Sequence, residues 1–155
     1  MSLSIFEDYL DAIKAYFVAN LPTHIAAINT EKDDIYNIAD MKKTTIGYED
    51  IFAPNNSYPL MCLFPEQFDF EEIAMGIDDN NTMLNIIIVD TLNGRKETTK
   101  NLRYAAAVVN LLKSDWTIGG SIGLSRILKI YNYPPDSDNI GVVNIQIEVT
   151  KPITF

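Results

Sequence analysis

The segment that most constrains the fold is residues 83–89, whose sequence is MLNIIIV. It is apolar at both odd and even positions, and Asn85 is its one exception. A strand that is apolar on both parities is covered by other parts of the protein on both faces. We therefore expect this strand to lie in the centre of a sheet.

The first helix is predicted near the N-terminus. Ser4 and Glu7 fit a capping box, in which each side chain bonds the other residue's backbone N–H. Apolar residues then recur at steps of three and four, which is typical of an amphipathic helix. Pro22 is expected to kink or end it. The predicted core stripe contains Ile5, Phe6, Tyr9, Leu10, Ile13 and Phe17.

A second helix is predicted from a cap at Thr98 or Thr99 to about Lys113. Its apolar positions extend beyond one stripe, so we expect a second cover from the chain itself or from another subunit. The core stripe is predicted to comprise Leu102, Ala105, Ala106, Val109 and Leu112. The surplus apolar face is predicted to comprise Tyr104, Val108 and Leu111.

Further strands are predicted at residues 58–64 and 124–133 and from Gly141 onward, where polar and apolar residues alternate. Residues 31–57 are predicted to form an irregular arm with a short strand near 45–48, and residues 65–81 a hairpin loop with an acidic tip. The fold class is therefore α+β in one domain over residues 1–155. Two helices are expected on one face of a mainly antiparallel or mixed sheet of about four strands.

Charge is distributed unevenly along the chain. The net charge is −9, and residues 31–80 contain twelve acidic residues against three lysines. Residues 95–129 contain seven basic residues against two acidic ones. Unlike patches can direct one copy of a protein onto the next, head to tail. The acidic excess disfavours direct nucleic-acid binding, which requires a broad positive face.

The residues that usually carry chemistry are scarce. The single cysteine, Cys62, excludes an intramolecular disulfide, and the single histidine, His24, leaves too few ligands for zinc. The glycine-rich residues 117–123 lack the Gly-Lys-Ser/Thr ending of a phosphate loop. The acidic residues 66–72 and 78–79 lack the spacing of a calcium loop. We predict no cofactor, no metal and no catalytic residue.

Export and membrane insertion are not indicated. No run of residues reaches the ~18 apolar positions that a membrane helix needs. The N-terminus carries Glu7, Asp8 and Asp11 where a secretory signal would place basic residues. We expect a protein that is not exported and has no membrane partner.

In the order of its elements, the chain resembles the tail terminator, or tail completion, proteins of tailed bacteriophages, including the Mu-like type. The resemblance rests on the opening helix IFEDYLDAIKAYF, the strand NIIIVDTL, the helix TTKNLRYAAAVVNLL, and the closing segments SRILKIYNY and GVVNIQIEV. It implies a homo-hexameric ring at the end of the tail tube, made in the bacterial cytoplasm and located in the virion. Its partners would be the tube protein and the head connector, with DNA passing through and no covalent chemistry.

Within such a ring, two surfaces can be assigned from charge and surplus apolarity. The predicted self-interface comprises Arg95, Lys96, Lys100, Arg103, Tyr104, Val108 and Leu111. The predicted channel lining or rim comprises Glu66, Asp69, Glu71, Glu72, Asp78 and Asp79, since negative charge would repel DNA phosphates.

Two other classes of function remain open from the residues alone. One is an acidic binding protein, such as a DNA mimic that occupies the cationic site of an enzyme. The other is a small enzyme that uses two carboxylates, which would require perturbed acids in a concave pocket. A ring differs from both by its mass in solution.

Overall fold

The computed structural model describes residues 5–47, 57–91, 97–120, 122–133 and 140–154. The helices are α1 (Ile5–Lys32) and α2 (Glu97–Ser114). The strands are β1 (Lys43–Ile46), β2 (Leu60–Ala74), β3 (Ile77–Thr91), β4 (Leu124–Asn132) and β5 (Ile140–Thr154).

All five strands belong to one mixed sheet in the order β1-β2-β3-β5-β4. β1 runs parallel to β2, and the other pairs are antiparallel. The predicted α+β class with two helices and a mixed sheet is confirmed. The fifth strand is β1, which lies close to the short strand expected within the arm. The arm is therefore less irregular than predicted, since it also contains the end of α1.

Both helices pack on one face of the sheet. The main core joins α1 residues such as Ile13 and Phe17 to Leu84 and Ile86 of β3 and Ile145 of β5. The other face, which we call the second face, holds a smaller buried cluster of Leu60, Cys62, Val89 and Ile140. The prediction that residues 83–89 lie in the centre of the sheet is confirmed. Their coverage is unequal, because Val89 is buried on the second face whereas Met83 and Ile87 are only partly buried there.

Helix α1 does not end at Pro22 but continues to Lys32. A proline removes one helical hydrogen bond, and the burial of its neighbours outweighs that loss here. Leu21 and Ile25, on either side of Pro22, are both buried in the core. Of the predicted stripe, Tyr9, Leu10, Ile13 and Phe17 are buried, whereas Phe6 is half-exposed. Ser4 of the predicted capping box lies outside the described residues.

Residues 65–81 do not form a loop. β2 and β3 stay paired almost to their tips and are joined by a tight turn containing Gly76, whose φ is +74°. The alternation of acidic and aromatic residues in this stretch is the period-two pattern of a strand. It was wrongly assigned to a loop because its outward side is acidic. Pairing of β3 with β5 as far as Thr154 supports the extended hairpin from its other side.

Candidate functional site: the acidic hairpin and the sheet edges

The tip of the β2–β3 hairpin places like charges directly opposite each other. Glu71 pairs across the strands with Asp79, and Glu72 pairs with Asp78. Directly opposed like charges on neighbouring strands destabilise a sheet. The hairpin tip is therefore negative at the expense of its own stability.

These two pairs lie on opposite faces of the hairpin. Phe68 and Phe70 contact the Phe6 ring of α1, with ring centroids 4.9 Å and 5.8 Å apart, so they face the helices. Glu72 follows Phe70 by two residues and shares its face, because side chains on a strand alternate. Glu71 and Asp69 consequently lie on the second face. The tip thus presents carboxylates in both directions.

Glu66 is in a different environment from the other five predicted rim residues. It lies at a register shift between Pro65 and Gln67, and its carboxylate accepts hydrogen bonds from Asn85 Nδ2 at 3.2 Å and Gln146 Nε2 at 2.8 Å. The three residues lie on the adjacent strands β2, β3 and β5. Glu66 therefore links these strands by hydrogen bonds at the base of the hairpin. The structure groups Asp69, Glu71, Glu72, Asp78 and Asp79 towards the tip and separates Glu66 from them.

A groove of about 440 Å³ lies beside Glu66 on the second face. Lys129 and Tyr131 of β4 line it on one side, and Asn144 of β5 lies between. Asn144 donates to Asn85 Oδ1 at 3.1 Å, and its own Oδ1 has no hydrogen-bond partner among the described residues. The groove combines a carboxylate, an ammonium group and amides.

The predicted self-interface on α2 is largely wrong. Tyr104, Val108 and Leu111 are almost fully buried in the main core of the same chain. Leu102, which was assigned to the core stripe, is instead half-exposed. The buried side of α2 is therefore rotated about the helix axis relative to the predicted core stripe. Because α2 is apolar on more than one side, the spacing of its apolar residues alone did not determine which side faces the sheet.

Two basic residues of the predicted self-interface, Lys100 and Arg103, are engaged within the chain. Arg103 forms a bidentate salt bridge with the carboxylate of Asp34. Arg103 Nη1 also donates a hydrogen bond to the backbone oxygen of Tyr36 at 2.8 Å. Lys100 Nζ lies 3.2 Å from Asp90 Oδ2. Arg103 is buried, so it is not free to contact another copy. Arg95 and Lys96 lie outside the described residues.

An exposed apolar and basic surface instead lies along β4, where the sequence predicts only an ordinary strand. Its charged residues are Arg126 and Lys129. Exposed apolar and aromatic side chains accompany them: Trp116, Leu124, Ile130, Tyr131 and Tyr133. The available signal was that β4, unlike β5, lacks a clean alternation of polar and apolar residues.

The remaining candidates have structural roles or no assigned role. Cys62 is buried and its sulfur accepts a hydrogen bond from Thr45 Oγ1 at 3.6 Å. His24 is half-buried on α1. Within the described ranges, no three His, Cys, Asp or Glu side chains cluster closely enough to hold a metal ion. No helix in the same ranges has the length and apolar character to span a membrane.

No protein-family model and no curated protein matches this sequence.

Proposed function

We propose that this chain is a structural protein of a bacteriophage tail that forms a ring, caps the tail tube and docks it to the head connector. The observation that carries the proposal is the cross-strand register at the hairpin tip, which sets Glu71 opposite Asp79 and Glu72 opposite Asp78. These opposed like charges are unfavourable in an isolated chain. A function that needs negative charge at the tip explains their presence.

A channel for DNA has that requirement. Phosphates are repelled by a negative wall, so a duplex can pass without adsorbing to it. The tip carries acidic side chains on both faces of the hairpin, which suits a rim that projects into a channel. Asp69, Glu71, Glu72, Asp78 and Asp79 form this proposed rim, and Glu66 supports the hairpin from its base.

Exposed apolar side chains support protein contacts at two places. Met75 in the hairpin turn is 95% exposed, and Trp116 before β4 is 58% exposed. Large apolar side chains at a surface are typical of contacts with other proteins when they cluster. A virion protein needs such contacts with its own copies, with the tube and with the connector.

The experiment is reconstitution on tail tubes. Tubes are assembled with and without the protein and viewed by electron microscopy, and the genome is then released from particles containing either wild type or Glu71→Lys/Glu72→Lys. We expect a ring at one tube end and slower genome release with the lysine variant. The matched control is Asp8→Lys/Asp11→Lys, which places the same charges on the exposed side of α1.

Two outcomes would contradict the proposal. Unchanged release with the hairpin variant would remove the channel role of the tip. A strictly monomeric protein that inhibits a DNA-binding enzyme would instead identify an acidic DNA mimic. The exposed apolar patch along β4 favours the ring over the mimic, because a mimic needs only an ordered acidic face.

A further inference from the structure

The two outer edges of the sheet carry opposite charges. β1 pairs with β2 only over Leu60–Leu63, so β2 beyond that point has a strand neighbour on one side only among the described residues. We call residues 66–74 of this strand the acidic edge. β4 is the last strand on the opposite side of the sheet, and we call it the basic edge.

Each edge carries charge of a single sign. The acidic edge contains Glu66, Asp69, Glu71 and Glu72 and no basic residue, whereas the basic edge contains Arg126 and Lys129 and no acidic residue. Arg126 Nη2 also lies 3.1 Å from Glu148 Oε1 on the neighbouring β5, so Lys129 is the base of this edge that has no ion pair among the described residues. Pairing of either edge with a second copy of itself would bring like charges together. Charged residues and bulges on edge strands are known to prevent such pairing. Both edges have a register shift, at Pro65/Gln67 and at Ile127/Lys129.

Both edges also expose apolar side chains. Ile73 on the acidic edge and Leu124 on the basic edge are each about half-exposed. Ile130 and Tyr131 on the basic edge are 44% exposed. Burial of apolar area gives an association its main favourable free energy, and charge gives it selectivity.

The charged residues of the two edges share a face of the sheet. Lys129 pairs in register with Gln146, and Arg126 pairs with Glu148, so both basic side chains lie on the second face. Asp69 pairs with Asn81, whose Oδ1 accepts from Thr150 Oγ1 at 2.6 Å, which places Asp69 on the second face as well. A sheet continued from one copy into the next would therefore set these side chains side by side.

We propose that the acidic edge of one copy pairs with the basic edge of the next copy, so that the sheet continues from subunit to subunit. This inference rests on the proposed ring and names its interface. Because the two edges lie on opposite sides of the sheet, the contact joins unlike surfaces, as a closed ring requires. Backbone edges form the contact. Asp69 and Glu71 then lie against the basic residues of the next copy, whereas Glu72 and Asp78, on the helix-facing side of the hairpin, remain for the rim.

The test measures self-association of the full chain by sedimentation velocity over a range of concentrations, at about 0.05 M and about 0.5 M salt. We expect wild type to associate, and more weakly at high salt. Arg126→Glu/Lys129→Glu should weaken association at least roughly tenfold, and Asp69→Lys/Glu71→Lys should do the same. A mixture of the two variants, or the four changes in one chain, should restore it.

Matched controls change the same charges elsewhere. Asp8→Lys/Asp11→Lys alters exposed acids on α1, and Lys113→Glu alters an exposed base on α2. Neither should weaken association. Zero-length carbodiimide coupling, which joins a lysine to a carboxylate in contact with it, should link Lys129 of one copy to Asp69 or Glu71 of another, as read by peptide mass spectrometry.

The outcomes separate the two proposals. The edge interface is overturned if neither charge reversal weakens self-association, or if the mixture of the two variants does not restore it. Either result leaves the proposed ring in place. A wild-type chain that stays monomeric throughout overturns the edge interface and also the ring. Circular dichroism of each variant shows that a lost association is not lost folding.

Discussion

The guanidinium of Arg103 on α2 holds the carboxylate of Asp34 with two parallel hydrogen bonds, from Nη1 at 2.7 Å and from Nη2 at 2.5 Å. This salt bridge connects Asp34, in the segment that follows α1, to helix α2. Bidentate salt bridges between arginine and a carboxylate are stronger and more directional than single hydrogen bonds. Arg103 therefore organises the chain's own fold, although its position in a basic segment suggested a contact with another copy.

The Asp34–Arg103 pair predicts a specific dependence of stability on pH. The Arg103 guanidinium lowers the pKa of Asp34 from 3.8 to about 2. A carboxyl group with a lowered pKa stabilises the folded state above its unfolded pKa and loses this contribution as pH falls through the folded pKa. The free energy of unfolding of wild type should therefore exceed that of Asp34→Asn by a constant, maximal amount above about pH 4. This difference should shrink towards pH 2. Urea titrations at each pH measure it, and a difference independent of pH would refute the assignment.

The hydroxyl group of Tyr104 is predicted to stabilise the core. It donates to Asp90 Oδ2 at 2.7 Å and accepts from the Ala39 backbone N–H at 3.2 Å. Tyr104→Phe leaves the buried carboxylate of Asp90 and the Ala39 N–H each short of one hydrogen bond, and should lower the free energy of unfolding by about 1–3 kcal/mol. The control Tyr131→Phe removes an exposed hydroxyl and should change it by less than about 0.5 kcal/mol. Chemical denaturation measures both, and equal effects would argue against the buried network.

Removing charge at the hairpin tip should stabilise the isolated chain. Glu71→Gln relieves the opposition to Asp79 and should raise the free energy of unfolding by roughly 0.2–1 kcal/mol at low salt. The gain should shrink as salt is added, because exposed charges are screened. Asp11→Asn, on the exposed side of α1, is the control and lacks an opposed cross-strand carboxylate. A loss of stability in Glu71→Gln would contradict the like-charge interpretation of the tip.

Gly123 is predicted to be intolerant of any side chain. A Cβ there would lie 2.7 Å from Val149 Cγ1 and 3.1 Å from the backbone oxygen of Thr150, both on β5. Gly123→Ala should cost about 1–3 kcal/mol of stability through this crowding. Combined with Val149→Ala, the loss should be smaller than the sum of the two single losses, because one substitution makes room for the other. Strictly additive losses in thermal or urea unfolding would show that the crowding is absent.

Much of the fold was predictable because the spacing of apolar residues within one segment indicates whether it is a helix or a strand and which of its sides is buried. The central position of β3 and the alternation of β5 are of this kind: Val143, Ile145, Ile147 and Val149 of β5 are all buried, as their spacing predicted. The bounds of α2 also agree to within a residue or two. In each case the pattern within a single segment contained the required information.

The candidate interface was not predictable in the same way. α2 is apolar around more than one side, so its period allowed Tyr104 to be assigned to the surface when it is almost fully buried. The order of strands was also needed, because only pairing decides that β4 lies at an edge and that β1, as far as the chain is described, pairs with β2 over Leu60–Leu63. Neither fact is present in a single segment.

The sequence by itself determined the class of each element, the central position of residues 83–89 and the separation of acidic from basic segments, since these follow from period and composition. Tertiary structure alone decided that Arg103 is bonded to Asp34, that the acidic residues after Pro65 extend a paired hairpin, and that opposite charges lie on opposite edges of one sheet. The physical reason is that periodicity specifies how a segment is buried, whereas the partner that buries it depends on contacts between residues far apart in the chain.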